Sequence, residues 1–219
     1  MNTLMGFAAF APMAVGLRIA AGLRGKRVLD LALVLLAAPV LLPVFVAIAL
    51  AIRLTSKGPA FFVQTRIGKD GVPFGMVKFR SMVVDAEARR DEVLGQSDRE
   101  GLCFKAKDDP RITKLGRILR RTSLDELPQL INVLKGEMSL VGPRPALPQE
   151  VAAYPAPALE RLSVLPGITG PWQVAGRADL GFAEMVALDV DYARHASLRG
   201  DLVILAKTFR AVTSGRGAY

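Results

Sequence analysis

The sequence contains very little of two residue types on which many enzymes and metal sites depend. Its 219 residues include one cysteine, Cys103, and one histidine, His195. A single cysteine excludes an intrachain disulfide and a cysteine-based metal cluster. A single histidine argues against Ser-His-Asp, Cys-His and multi-histidine metal chemistry. Any catalysis is therefore expected to depend on carboxylates, lysine and arginine.

Aromatic residues are also scarce, at 6%, and acidic residues are outnumbered by basic ones, 20 to 29, giving a net charge of +9. At the same time 51% of the residues are hydrophobic and the mean hydropathy is +0.32. This combination indicates a lipid-facing segment and a basic surface held against anionic headgroups or phosphate-bearing ligands. A basic, core-rich globular domain is the alternative. Few aromatics and no stacking or metal-finger motif argue against a nucleic-acid partner.

The longest apolar stretch, Val28 to Ile52, carries one charge, Asp30. A straight helix of that length would rise about 37 Å, at about 1.5 Å per residue, which is enough to cross a bilayer. Pro39 and Pro43 interrupt helical hydrogen bonding, and both flanks are basic, which favours keeping both on the cytoplasmic face. The flanking cations are Arg24, Lys26 and Arg27 before the stretch and Arg53 and Lys57 after it. We therefore predict a re-entrant helix-break-helix over residues 24–57, with a full span and a buried soluble helix as alternatives.

The remaining sequence predicts an N-terminal tail over residues 1–23 and one soluble domain over residues 58–219. Strands are predicted at Ala60–Ile67 and Pro73–Arg80, joined by the turn dipeptide Asp70-Gly71. Helices are predicted over 81–94, 111–121, 128–135, 182–194 and 197–212, with a polar loop over 95–109. The expected fold class is α with a small β component. The 111–121 helix is basic and amphipathic, which suits a membrane surface, although an ordinary surface helix has the same pattern.

Two adjacent carboxylates, Asp125 and Glu126, precede a predicted helix and follow the basic one. Helix capping would explain them, because Ser123 and Glu126 match a capping box. A functional role uses the same surroundings, since a helix N-terminus and nearby arginines would keep Asp125 ionised as a nucleophile or Mg²⁺ ligand.

Basic residues in two other segments suit phosphate groups. Lys78 and Arg80 alternate along a strand with Val77 and Phe79, so the two cations share one face. Arg144 lies between two prolines, which limits the entropy lost when its guanidinium binds phosphate. A solvated strand face and a rigid turn are the respective alternatives.

One further acid, Asp189, falls on an otherwise apolar helical stripe. A buried carboxylate there is expected to be paired or functional, because burying it unpaired is costly. A functional role and a structural salt bridge with Arg194 or Arg177 both remain open.

Taken together, these motifs resemble the bacterial sugar transferases, the small monotopic phosphoglycosyl transferases that act on polyprenyl phosphate. The resemblance covers nearly everything after residue 24. Its carriers are Lys26-Arg27 with Asp30, Gln64–Gly68, Lys78–Met82, Asp109–Thr113, Thr122–Gln129, Lys135–Pro145 and Pro166–Gly170.

The resemblance implies a re-entrant membrane segment, interfacial amphipathic helices and a small catalytic domain on the cytoplasmic face of the bacterial inner membrane. It also implies a ping-pong reaction in which Asp125 attacks the β-phosphate of a UDP-sugar, expels UMP and forms an aspartyl-phosphosugar. Polyprenyl phosphate, such as undecaprenyl phosphate, then accepts the sugar phosphate. Mg²⁺ would bind Asp125 and the diphosphate, and Glu126 would complete an Asp-Glu pair.

The same resemblance gives phosphate-binding roles to Lys78, Arg80 and Arg144, and weaker assignments to Gln173 and Asp189. The C-terminal sequence 214–219 is similar to the branch that begins exopolysaccharide units with galactose or glucose phosphate. Ala38 departs from the common pattern, in which serine precedes the proline of the break. A catalytically inactive membrane scaffold is the alternative function, and a homo-oligomer is a possible assembly.

Overall fold

The computed structural model describes residues 18–89, 109–176 and 180–214. Its longest element is α1, Arg18–Thr55, a helix of 38 residues that contains both Pro39 and Pro43. The helical segment includes both prolines of the predicted break, and it already includes residues 18–23, which the sequence assigned to the tail. By length and composition Gly25–Thr55 could cross a membrane. The predicted tail over residues 1–17 lies outside the described residues.

Both ends of α1 contact the rest of the protein. Near its start, Asp30 is buried and Val34 packs against Met76, Val133 and Met138. Near its end, Ile52 is buried with Phe79 and Leu119. Between these contacts the helix exposes large apolar side chains, with Leu36 78% and Val40 71% exposed. The apolar middle of α1 is therefore the part left uncovered by protein.

The first strands after α1 form the predicted hairpin. Strand β1, Phe61–Ile67, pairs antiparallel with β2, Pro73–Phe79, in a register that places Phe61 opposite Phe79. The turn at Asp70-Gly71 is confirmed: Asp70 has φ 56° and Gly71 φ 79°, the left-handed conformation that this dipeptide favours. Phe79 points into the core and stacks with Phe61 at a centroid distance of 5.4 Å.

The segment after the hairpin differs from the prediction. Residues 84–89 form turns rather than the start of a helix, and Met82 bridges to Ile112 instead. The rest of the predicted helix, and the loop over 95–108, lie outside the described residues. Helix α2 is shorter than predicted, Lys114–Arg121, because the Thr113 side chain caps it by accepting from the Gly116 amide.

A short 3₁₀ turn, Leu124–Glu126, connects α2 to α3, Gln129–Lys135, which ends at Gly136 with φ 84° as predicted. The fully buried Asn132 of α3 joins this helix to β2. Its amide oxygen accepts from the Val77 amide at 3.0 Å, and its amide nitrogen donates to the Gly75 carbonyl at 2.8 Å and to Glu137 at 2.7 Å. The side chain thus occupies backbone groups along the edge of β2 that β1 leaves open.

The remaining elements form the C-terminal part of the domain. Strands β3, Ser139–Val141, and β4, Gly167–Thr169, form a parallel pair. Four helices accompany them: α4 Pro148–Ala152, α5 Pro171–Ala175, α6 Phe182–His195 and α7 Leu198–Ser214. A 3₁₀ segment, Ala156–Ser163, packs on α6. The fold class, helical with a small β component, is confirmed, and helices α6 and α7 match their predicted ranges closely.

Candidate active site

The adjacent acids lie where α2 turns into α3. Ser123 adopts the left-handed conformation, with φ 56°, and makes no capping hydrogen bond through its side chain. The backbone then forms the 3₁₀ turn that carries Asp125 and Glu126. The predicted capping box is therefore wrong, and the two carboxylates are available for other contacts.

Glu126 is the meeting point of two cations. Its Oε1 accepts from Lys78 Nζ at 2.8 Å and lies 3.7 Å from an Arg144 guanidinium nitrogen. Burial alone would raise the pKa of Glu126, but Lys78 and Arg144 offset this and lower it to about 2. Glu126 is thus ionised throughout the neutral range. The structure brings together Lys78, Glu126 and Arg144, three residues that the family resemblance gives to one site.

Asp125 is in a different environment although it is the next residue. It is 8% exposed, and within the described residues no hydrogen bond or ion pair joins its carboxylate to another group. Burial raises the pKa of Asp125 to about 6, with Glu126 adding to the rise and Lys78 and Arg120 opposing it. This direction is opposite to the one expected from a helix N-terminus, yet the carboxylate remains mostly ionised at neutral pH.

Arg120 belongs to the site but was not singled out in the sequence. Unlike the exposed Lys114, Arg117 and Arg121 of the same helix, it points inward, and its Nε donates to Ser81 Oγ at 3.1 Å. Burial lowers the pKa of Arg120, and the nearby Asp125 opposes that shift. Its helical position could have indicated this role, because Arg120 lies beside the exposed face of α2 that Lys114, Arg117 and Arg121 form.

The loop that carries Arg144 is held from several directions. Arg66 donates to the Pro145 carbonyl at 3.0 Å, and Arg161 donates to the Arg144 carbonyl at 3.2 Å. The Gly167 amide donates to the Pro143 carbonyl at 2.9 Å. The backbone around Arg144 is therefore fixed. Its side chain is 41% exposed and extends toward Glu126.

These groups open onto one cavity of about 770 Å³. Asp125, Glu126, Lys78 and Arg144 all line it. Its wall also contains the arginines Arg66, Arg80, Arg111, Arg120 and Arg161. A cavity of this size with converging cations suits a phosphate-bearing ligand of nucleotide-sugar dimensions.

Comparison with known proteins decides the family. Residues 22–215 match the family described as Bacterial sugar transferase. This chain belongs to that family. The resemblance seen in the sequence is thereby confirmed, and so is the prediction that the protein is a transferase enzyme.

Individual relatives differ in how much of them this transferase covers. The galactosyl transferase CpsE of Streptococcus agalactiae is 49% identical over 162 residues, 74% of this chain and 36% of CpsE. The exopolysaccharide production protein ExoY of Sinorhizobium fredii is 38% identical over 214 residues, 96% of this chain and 95% of ExoY. The UDP-glucose:undecaprenyl-phosphate glucose-1-phosphate transferase of Caulobacter vibrioides is 40% identical over 210 residues, 92% of this chain and 74% of that protein. The chain thus spans about a third of CpsE but nearly all of ExoY.

Arg80 of the transferase has binding partners that the sequence did not predict. Although it lines the cavity, its guanidinium donates to Ser56 Oγ at 2.7 Å, to the Ser56 carbonyl at 3.1 Å and to the Lys57 carbonyl. Arg80 therefore holds the chain that follows α1 against the end of β2. This structural role is separate from any contact with phosphate.

Asp189 is likewise engaged elsewhere. It is fully buried and forms an ion pair with Arg161, rather than with Arg194, which pairs with Glu160. Burial raises the pKa of Asp189 to about 6 despite this partner. The other proposed partner, Arg177, lies outside the described residues. Gln173 lies on α5 and lines the cavity.

The site fits a magnesium ion only in one way. Among the described residues there is no group of three or more histidine, cysteine, aspartate or glutamate side chains that could enclose a metal. Mg²⁺, however, commonly takes one or two carboxylates and completes its shell with substrate phosphates and water. Asp125 lines the cavity and forms no side-chain hydrogen bond within the described part of the chain, so it fits that arrangement.

Proposed function

We propose that this transferase moves a sugar-1-phosphate from a UDP-sugar to undecaprenyl or another polyprenyl phosphate and releases UMP. This would begin the assembly of an exopolysaccharide or a related glycoconjugate. The observation that carries the proposal is the buried Asp125, which has no hydrogen-bonded partner among the described residues and lies beside Lys78, Arg120 and Arg144 at one cavity. The names of the relatives support the substrate class, and they support galactose or glucose as the sugar.

The chemistry divides into two displacements at the same phosphorus. In the first, an Asp125 carboxylate oxygen attacks the β-phosphorus, the bond to the bridging oxygen breaks, and UMP leaves with that oxygen. In the second, a phosphate oxygen of the polyprenyl phosphate attacks the phosphorus of the aspartyl-phosphosugar, and the Asp125 carboxylate leaves. Each step conserves charge and needs no redox partner.

The surrounding cations have separate tasks in this scheme. Lys78 and Arg144 lie on either side of Glu126, whose negative charge holds both cations at the cavity before substrate binds. From there both cations can contact the phosphates of the donor. Arg120 would hold a phosphate on the Asp125 side. Mg²⁺, bound through Asp125, would supply charge neutralisation at the diphosphate.

We also propose that α1 is the membrane segment and enters and leaves on the cytoplasmic face. Support comes from its two ends, which pack on the same folded domain through Val34 and Ile52, with an exposed apolar middle between them. The exposed cations of α2, with Ile118 52% exposed among them, suit a surface facing anionic headgroups.

The first test is UMP release from the protein held in nanodiscs, with Mg²⁺ and a panel of UDP-sugars. We expect release that depends on polyprenyl phosphate and favours one sugar, together with a near-stoichiometric burst when acceptor is omitted. Chelation of Mg²⁺ should stop both. No release from any UDP-sugar by folded protein would instead support an inactive scaffold.

Asp125→Asn tests the nucleophile directly. The amide should abolish both turnover and the acceptor-free burst, because it is neither a nucleophile nor a good Mg²⁺ ligand. Asp191→Asn makes the same chemical change at an exposed acid of α6, outside the site, and should leave both readouts unchanged. A burst that survived in Asp125→Asn would remove Asp125 from this role.

A further inference from the structure

The two ends of α1 are joined to the two strands that lead to the cations of the active site. We propose that Asp30 and Arg80 are positioning residues, through which the membrane helix fixes the separation of Lys78 and Arg144 across Glu126. This inference rests on the proposed function and adds to it a link between the membrane segment and catalysis.

The first link runs from the start of α1 to Arg144. Asp30 is 3% exposed; its Oδ2 accepts from Ser139 Oγ at 2.8 Å and its Oδ1 from the Leu140 amide at 3.2 Å. Both partners belong to β3, and the chain passes from Val141 through Gly142 and Pro143 to Arg144. A shift of Asp30 therefore acts on the strand that immediately precedes the arginine.

The second link runs from the end of α1 to Lys78. Arg80 is 7% exposed and binds Ser56 and Lys57, the residues that directly follow α1. It lies two positions beyond Lys78 at the end of β2. A buried guanidinium that loses its acceptors is strongly unfavourable, so the end of α1 and this part of the chain are expected to move together.

The two links converge on a single atom. Lys78 Nζ lies 2.8 Å and an Arg144 guanidinium nitrogen 3.7 Å from Glu126 Oε1. Lys78 approaches this oxygen from β2, and Arg144 approaches it from the loop after β3. The two strands belong to different sheets, because β2 pairs with β1 and β3 pairs with β4. Since α1 holds both strands, its geometry in the bilayer contributes to the spacing between the two charges.

Hydrogen exchange tests the first link without relying on activity. In nanodiscs, Asp30→Ala should speed exchange of the Leu140 amide, which loses its acceptor, and of the peptide that covers residues 139–145. Arg27→Ala is the matched control, because Arg27 also joins α1 to the domain but binds the Val133 and Leu134 carbonyls of α3. It should leave exchange in 139–145 unchanged. Asp30→Asn, which keeps the shape and one acceptor oxygen, should be intermediate and serves if Asp30→Ala does not fold.

A double-mutant cycle tests whether each residue acts through its cation. Asp30→Ala should lower kcat/KM about tenfold in the wild-type background and by less than about twofold when Arg144 is already glutamine. Arg80→Lys keeps the charge but loses the paired donors. It should likewise lower kcat/KM about tenfold in the wild-type background and by less than about twofold when Lys78 is already glutamine. Arg27→Ala should leave kcat/KM unchanged in every background.

The outcomes separate this inference from the proposed function. If the wild-type protein releases no UMP, the proposed function fails, while hydrogen exchange still decides the link from Asp30. Equal factors of loss in the two backgrounds, or unchanged exchange at residues 139–145 in folded Asp30→Ala, would mean that Asp30 only stabilises the fold and would overturn the inference.

Discussion

At the scale of single residues, two neighbouring carboxylates differ because of what each one contacts. Glu126 accepts from Lys78, and its pKa falls to about 2, whereas Asp125 has no such hydrogen bond and burial raises its pKa to about 6. Such a separation of pKa values commonly marks two acids with different roles. In the proposed reaction it suits Glu126 as a fixed charge and Asp125 as the reactive carboxylate.

This separation predicts the pH dependence of the enzyme. In the proposed reaction only the ionised Asp125 can attack, so kcat/KM should fall on the acid side, and bound Mg²⁺ should move that fall below the pKa of about 6 that burial gives Asp125 in the metal-free site. Glu126→Gln removes a negative charge that raises the pKa of Asp125 and frees Lys78 and Arg144 to lower it further. The acid limb should therefore move to lower pH in Glu126→Gln, as a pH series of initial rates would reveal. A limb that moved to higher pH would contradict the electrostatic assignment.

The sequence was a good guide to some of these residues and a poor one to others. Lys78 and Arg144 were predicted because strand alternation and a proline-bracketed loop limit where their side chains can go. Arg80 satisfies the same alternation rule, but the acceptors it binds belong to the two residues that follow α1, 23 and 24 positions earlier in the chain. Local pattern carries no information about such a distant partner, and for the same reason the pairing of Asp189 with Arg161 was missed.

At the scale of elements, two glycine-containing motifs fit into each other. A side chain on Gly167 would place its Cβ 2.1 Å from the Gly142 nitrogen, and one on Gly170 would lie 2.2 Å from the Gly142 carbonyl oxygen. Hydrogen bonds between Gly142 and Thr169 and between Gly167 and Pro143 run through this contact. The close approach of these backbones is what brings the Arg144 loop against β4.

Gly167→Ala should therefore be severely destabilising, because backbone atoms cannot move aside as a flexible side chain can. We expect a loss of more than about 3 kcal/mol, seen as a melting temperature lower by about 6 °C or more. Gly181→Ala is the control, since a Cβ there meets nothing closer than the Glu184 carboxylate at 3.8 Å. Equal melting temperatures for the two variants would show that the backbones of β3 and β4 can move apart at little cost, which would contradict the prediction.

Elements with local determinants were predicted well. The hairpin and its Asp70-Gly71 turn, the glycine end of α3, and helices α6 and α7 agree with the structure to within a few residues. The predicted helix after Ser81 did not, because tertiary contacts compete with its helical pattern: the Val83 amide donates to the Arg111 carbonyl, and Met82 bridges to Ile112. Those partners lie beyond the 90–108 segment and leave no mark in the local sequence.

At the scale of the whole molecule, the decisive element is α1. A straight helix that crossed the bilayer would carry one end far from the catalytic domain, whereas Asp30 and Ile52 are both buried against the protein. The sequence located this segment from its apolar length and basic flanks. It could not supply the packing of the two ends, which depends on residues as far along the chain as Asp201, whose carboxylate pairs with Lys26 at 2.6 Å.

Accessibility of introduced cysteines tests the resulting topology. In a Cys103→Ser background, Ala20→Cys and Lys57→Cys should both react with a membrane-impermeant thiol reagent from the cytoplasmic side of oriented vesicles. Intact vesicles of the opposite orientation are the control, and neither position should react there. Reaction from opposite sides would replace the re-entrant segment with a full span.

Asn132 has a consequence for how copies of the protein meet. A two-stranded sheet has two open edges, and an unpaired edge invites strand addition from another chain. Here one side chain already occupies the Val77 amide and the Gly75 carbonyl on the β2 edge. Strand addition from another copy is therefore blocked at the β2 edge while that amide stays in place, and a homo-oligomer that extended this hairpin would have to use the β1 edge instead.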